Sequence, residues 1–129
     1  MYAVNVMYPI ATSGRFDVDH YKNVHIPLGV GLMWKHFQVK PIAIHFHYPT
    51  YGVDRKPASA PFAAITTMQF NSRDDAHCFI ALFEKPEEAA KLAADWPNFT
   101  DESPIVVIGA VDDIATDDVL AQFANHLDE

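Results

Sequence analysis

The chain has 129 residues, half of them hydrophobic and a fifth charged; this suits one globular domain and excludes two well-filled cores, a disordered chain or a fibrous one. Seventeen acidic against nine basic residues leave a formal net charge of −8, which disfavours nucleic acid and anionic membrane surfaces as partners. The single cysteine, Cys78, allows no intrachain disulfide, and the sequence shows neither a signal-peptide pattern nor an apolar run approaching about 20 residues, so the expectation is a cytoplasmic protein with no membrane partner.

Residues 2–8 (YAVNVMY) are rich in β-branched and aromatic side chains and predict a strand, stopped by Pro9. Thr12, Ser13 and Gly14 make a loop. Asp17 is placed to cap a helix with Asp19 and His20 in its first turn, and Tyr21, Val24 and Leu28 recur at helical spacing. Pro27 lacks an N–H and would strand the carbonyl of Asn23. A kink or break is therefore expected near His25–Ile26, with helix resuming from Leu28 to about His36. Residues 42–48 alternate, with Ile42, Ile44, Phe46 and Tyr48 on one face and Ala43, His45 and His47 on the other. After a proline-rich loop, residues 62–70 give a third strand. Ser72 caps a second helix through Asp75, and Ala76, Phe79, Ile80 and Phe83 form its apolar stripe. Pro86 opens a further helix, with Glu87 and Glu88 near its N-terminus. The nearly all-apolar run 104–111 predicts a buried fourth strand. Thr116 to Leu127 is acidic and weakly amphipathic, a candidate terminal helix.

The order β-α-β-β-α-β is that of an α+β, ferredoxin-like plait, with one domain over 1–112 and an acidic tail over 113–129. Two helices cover one sheet face. The other carries mixed rows: Ala3, Asn5 and Met7; His45 and His47; and either Thr67 and Gln69 or Thr66 and Met68. Such a face suits a cavity wall. Two such sheets from two chains could close on each other as a barrel-like dimer that shields edge strands; the alternative is a monomer with a wet sheet.

A first strand ending in Tyr8-Pro9, then Arg15-Phe16-Asp17-x-Asp19-x-Tyr21 and His25-x-Pro27-Leu28, resembles the EthD family of the dimeric α+β barrel superfamily. The resemblance covers residues 2–112, and the Trp96-Pro97 and 104–109 segments are compatible with it. It implies a homodimer and a cavity between sheet and helices that takes an apolar ring system. Most family members have no assigned reaction. Superfamily relatives include muconolactone isomerases, aromatic polyketide cyclases and cofactor-independent monooxygenases.

His25 is the leading candidate for chemistry, because a neutral imidazole gives and takes protons near pH 7. Tyr21, one turn earlier, could share its surface. The competing reading has His25 donate to a carbonyl freed by Pro27 and fix the kink. Asp17 and Asp19 read as a cap and a first-turn dipole partner. Arg15 either pairs with one of them or meets an anionic substrate at the cavity rim. His45 and His47 share a strand face about 6.5 Å apart, but no third ligand stands out, so no metal is assigned. Proton relay or hydrogen bonding in the cavity competes with an ordinary edge pair. Asn5, Thr67 and Gln69 could orient a carbonyl or be satisfied by neighbours and water. Trp34 and Trp96 are either core or an aromatic cavity wall. Cys78 reads as a small hydrophobe. No GxGxxG, Walker, GxSxG or zinc motif is present, so no cofactor is expected.

The sequence therefore points to a small cofactor-independent enzyme of EthD-like type. It would shift protons through His25 and Tyr21 on a hydrophobic, carbonyl-bearing cyclic or polyketide-like molecule, by isomerisation, cyclisation, dehydration or decarboxylation. His45, His47, Asn5, Thr67, Gln69, Trp34, Trp96 and Arg15 are the candidate substrate contacts. The alternatives are a non-catalytic binding protein using the same cavity and a cofactor-independent monooxygenase.

Overall fold

The computed structural model describes residues 1–127. Four antiparallel strands, β1 (Tyr2–Pro9), β2 (Ala43–His47), β3 (Phe62–Phe70) and β4 (Ile105–Ala110), form one sheet in the order β2-β3-β1-β4. The register pairs Val4 with Met68 and Ile108, and Val6 with Thr66 and Val106. One sheet face therefore carries Val4, Val6, Tyr8, Thr66, Met68 and Phe70, all buried against the helices. The parity of the register puts Asn5, Met7, Ile65, Thr67, Gln69, His45, His47, Ile105 and Val107 on the other face.

The first helix, α1, is one continuous run in three pieces: α-helical Val18–His20, a π-helical turn Tyr21–His25, and α-helical Ile26–Phe37. The Asp17 carboxylate caps it by accepting from the His20 N–H at 3.1 Å. Where the proline predicts a break, the structure instead widens the helix. The Ile26 N–H reaches back to the Tyr21 carbonyl, and Pro27 falls in the first turn of the resumed α-helix, where a missing N–H costs nothing. The helix ends at Gln38, which adopts the left-handed region at φ 56°. In α2 (Arg73–Phe83) the Ser72 hydroxyl accepts from the Asp75 N–H at 3.1 Å, the expected cap. Helix α3 spans Pro86–Asp95, followed by a 3-10 turn over Trp96–Asn98, and α4 spans Thr116–Leu127.

The apolar run 104–111 was expected to be buried. Instead, among the described residues, β4 is an edge strand that pairs with β1 alone, leaving Ile105, Val106 and Val107 between 39% and 49% exposed. Ile105 and Val107 stand on the helix-free face, over which no second sheet packs among the described residues, and Val106, on the helix-facing row, borders the open groove at the sheet edge.

Long-range contacts clamp the start of α1 to the end of α3. The Asp17 N–H donates to the Phe99 carbonyl at 2.8 Å, and Phe16 bridges Thr100. Arg15 Nη2 donates to the Pro97 carbonyl and to Asp101, each at 2.7 Å, and the Ser13 hydroxyl also bonds Asp101. At the other end of α1, the buried Glu88 carboxylate lies 3.4 Å from His36 Nε2 and 3.2 Å from Lys91 Nζ. Burial pushes that carboxyl up, but Lys91 and His36 outweigh it and hold it below the ordinary range.

Phe99 is fully buried at the centre of an aromatic cluster, edge-on to Tyr8 at 5.4 Å and Phe16 at 5.5 Å, and tilted against His25 at 4.7 Å. Replacing Phe99 by Ala is expected to cost about 3–5 kcal/mol of stability, read by denaturant unfolding. A loss below about 1 kcal/mol, typical of a surface site, would show that the cluster is not the keystone of this end of the molecule.

Candidate functional site

Between the inner sheet face and α1, α2 and α3 lies a cavity of about 50 Å³. Its wall is largely apolar, from residues such as Met33, Met68, Phe79, Leu82 and Leu92. Tyr8, Tyr21, His25, Thr66 and Trp96, whose side chains carry polar atoms, are among the residues that line it. The π turn of α1 spans Tyr21 to His25 and presents both to the cavity, their rings stacked at 5.7 Å.

His25 is only 8% exposed. Its Nδ1 lies 2.9 Å from Asp95 Oδ2, while His20 Nε2 lies 2.8 Å from Asp95 Oδ1. Asn98 Nδ2 also donates to Oδ1, at 3.0 Å. An ionised carboxylate can only accept, so each histidine donates to it. For His25 the proton then sits on Nδ1, and Nε2 is left with its lone pair. Burial of Asp95 favours the neutral acid, but the bonds from Asn98, His20 and His25 outweigh this and hold its carboxyl below the ordinary range. Burial lowers the His25 pKa, partly opposed by the bond and charge of Asp95, while the His20 charge lowers it further. The imidazole is therefore neutral at pH 7, as a general base requires.

Tyr21 Oη lies 2.5 Å from Thr66 Oγ1, fully inside the protein. Burial pushes the Tyr21 phenol up, as it does the neighbouring Tyr8 phenol, so both stay protonated. The pair can offer a hydrogen-bond donor to an oxygen in the cavity.

The structure distributes the residues singled out from sequence over separate regions. His25, Tyr21 and Trp96 line the cavity together. Asn5, Thr67, Gln69, His45 and His47 lie on the opposite, helix-free face, where Thr67 donates to Asn5 at 2.8 Å and both histidines are exposed. Trp34 is 47% exposed, with Lys40 Nζ 5.7 Å from its ring centre. Arg15 pairs with Asp101 rather than with Asp17 or Asp19. Among the described residues, no group of three or more His, Cys, Asp or Glu side chains is arranged to hold a metal.

Asp95, Asn98 and Phe99 belong to the site and were not singled out from sequence. Asp95 stands 70 residues after His25, and no local pattern links the two. Thr66 was within reach, because it shares the strand face of Met68, one of the two registers left open.

The chain matches the EthD domain over residues 12–103. No curated protein matches it. Its structure is similar to that of an EthD-like protein from Ralstonia eutropha JMP134, with 24% identity, a TM-score of 0.66, and coverage of 90% of this chain and 96% of that one. It is also similar to an ethyl tert-butyl ether D (EthD) family protein from Bacillus halodurans C-125, with 14% identity, a TM-score of 0.56, and coverage of 87% and 99%. At these identities the two structures speak for the shared α+β fold. The domain match takes in the helix that carries Tyr21 and His25 and the segment that carries Asp95, and on that match the chain belongs to the EthD family.

Proposed function

We propose that this protein is a cofactor-independent enzyme that moves protons on a hydrophobic, carbonyl-bearing small molecule. The observation that carries this reading is the His25–Asp95 pair: a buried imidazole among the residues of the cavity wall, with Nδ1 held by a carboxylate at 2.9 Å, which leaves the lone pair on Nε2. His25 Nε2 takes a proton from the carbon next to a substrate carbonyl, Asp95 stabilises the imidazolium that forms, and the Tyr21 hydroxyl donates to the developing enolate oxygen. Return of the proton to another carbon completes an isomerisation. Its use in expelling a β-hydroxyl as water completes a dehydration.

The cavity of about 50 Å³ is smaller than the apolar space of about 150 Å³ that takes a benzene ring. A cyclic substrate therefore needs Phe79 and Phe83 to move, opening the cavity into an adjoining groove of about 320 Å³ lined by those residues with Trp96 and Pro104. The apolar wall also supports a second reading, a carrier that releases its ligand unchanged. In both readings the chain is a cytoplasmic homodimer joined through the helix-free sheet face. Asn5, Thr67, Gln69, His45 and His47 then belong to the interface, and Trp96 and Thr66 join the substrate contacts.

Proton transfer can be read without knowing the final product. Cyclic ketones and β-keto compounds incubated with the protein in D2O are expected to gain deuterium next to the carbonyl, followed by NMR. The His25→Gln variant is expected to keep its fold and lose about 10²–10⁴-fold in that rate. Undiminished exchange in the variant removes His25 from the reaction, and binding without exchange in the unaltered protein establishes the carrier reading.

The pH profile offers a separate check. Because the His25 pKa is lowered, the exchange rate is expected to hold below the ordinary histidine value of about 6.5 and to fall only at more acid pH. Asp95 raises that pKa, so Asp95→Asn is expected to slow exchange and move the acid limb to still lower pH. A limb moving upward would contradict the assigned pairing. The same shift acts on stability: below about 6.5 the unfolded chain binds a proton that folded His25 resists, so this group's contribution weakens as pH falls toward the folded value.

A further inference from the structure

We infer that α4 is an arm exchanged between two copies of this chain, its apolar stripe seated in the other copy's groove between α2 and β4. The arm lies outside the region of the EthD match and takes no part in the chemistry above. Its stripe is Val119, Leu120, Phe123 and Leu127, at helical spacing and between 49% and 69% exposed. Every described residue from Asp112 onward is exposed, and no residue of the helix belongs to the buried core. A lone helix of 12 residues is marginal in water and draws its stability from burying such a stripe.

The same chain carries a surface of matching chemistry. Phe79, Ile80, Phe83, Trp96, Pro104 and Val106 line the apolar groove, with Ile80 43% and Val106 39% exposed. Helix α4 is about 18 Å long, close to the roughly 20 Å of the six-residue β4 edge beside the groove. Charge agrees with the fit. The stretch from Asp112 to Asp118 holds four aspartates and no lysine or arginine. On α2, Arg73 and His77 fall on the face of Ile80 at spacings of seven and three and make its N-terminal part basic, Asp74 and Asp75 point away, and the one acid on that face, Glu84, stands at the opposite end of the helix. Since the chain's own α4 stands clear of its own groove, a second copy is the occupant. The groove shares Phe79, Phe83, Trp96 and Pro104 with the cavity, so the arm of one copy roofs the site of the other and has to lift before a cyclic substrate can expand the cavity into the groove.

Disulfide capture tests this through association rather than turnover, so its outcome is separate from that of the His25 reading. In a Cys78→Ser background, a copy carrying Ile80→Cys is mixed with a copy carrying Phe123→Cys and oxidised. Both positions are exposed, so the fold is undisturbed. A covalent heterodimer is expected, at twice the 14.4 kDa chain mass. It should be absent with Asn125→Cys, on the far side of the arm helix, and lost when Leu120→Asp is added to the arm. A chain carrying both cysteines that closes only within itself, no heterodimer at all, or equal capture at Asn125→Cys would each overturn the exchange.

Discussion

One carboxylate organises the working end of this molecule. Asp95 sits at the last turn of α3 and holds two imidazoles of α1, His20 at 2.8 Å and His25 at 2.9 Å. That double grip fixes the rotation of α1 over the sheet and the tautomer of the buried histidine. It depends on the backbone clamp between Asp17 and Phe99 and on the Arg15 fork to Pro97 and Asp101, which bring the start of α1 and the end of α3 together. Phe99 then seals the space beneath, in contact with the rings of both histidines.

The π turn is the local counterpart of this arrangement. A regular helix over Tyr21–His25 would leave the Asn23 carbonyl facing the ring of Pro27. Widening the turn removes that conflict, and it is the widened stretch that brings Tyr21 and His25 to the cavity side by side. The proline and the site are thus one feature: the backbone irregularity that accommodates Pro27 is the one that aims the imidazole.

Much of this was legible in the sequence. Strand limits followed from β-branched and aromatic runs bounded by Pro and Ser, and the Asp17 and Ser72 caps from local side-chain chemistry. The order of elements led to the sheet and, with the RFDxDxYxxxHxPL run, to the family. What escaped was what depends on distant parts of the chain. Asp95 resembles any helix-terminal acid until the fold sets it beside residues 70 and 75 positions earlier. The apolar run 104–111 reads as buried because hydrophobicity reports what a strand would bury, not whether one chain suffices to bury it. The side of the sheet that faces the helices is fixed by which row carries Val4, Val6 and Tyr8, and this separated Thr66 from Thr67.

The proposed proton transfer requires His25 to be a neutral imidazole protonated on Nδ1, the nitrogen bonded to Asp95. Nitrogen-15 NMR of the histidine side chains at pH 7 tests this directly, since the two ring nitrogens report separately which one carries the proton. A protonated Nδ1 and a bare Nε2 are expected for His25, changing to the opposite or a mixed tautomer in the Asp95→Asn variant. A doubly protonated ring at pH 7, or a bare Nδ1 with the proton on Nε2, would contradict it.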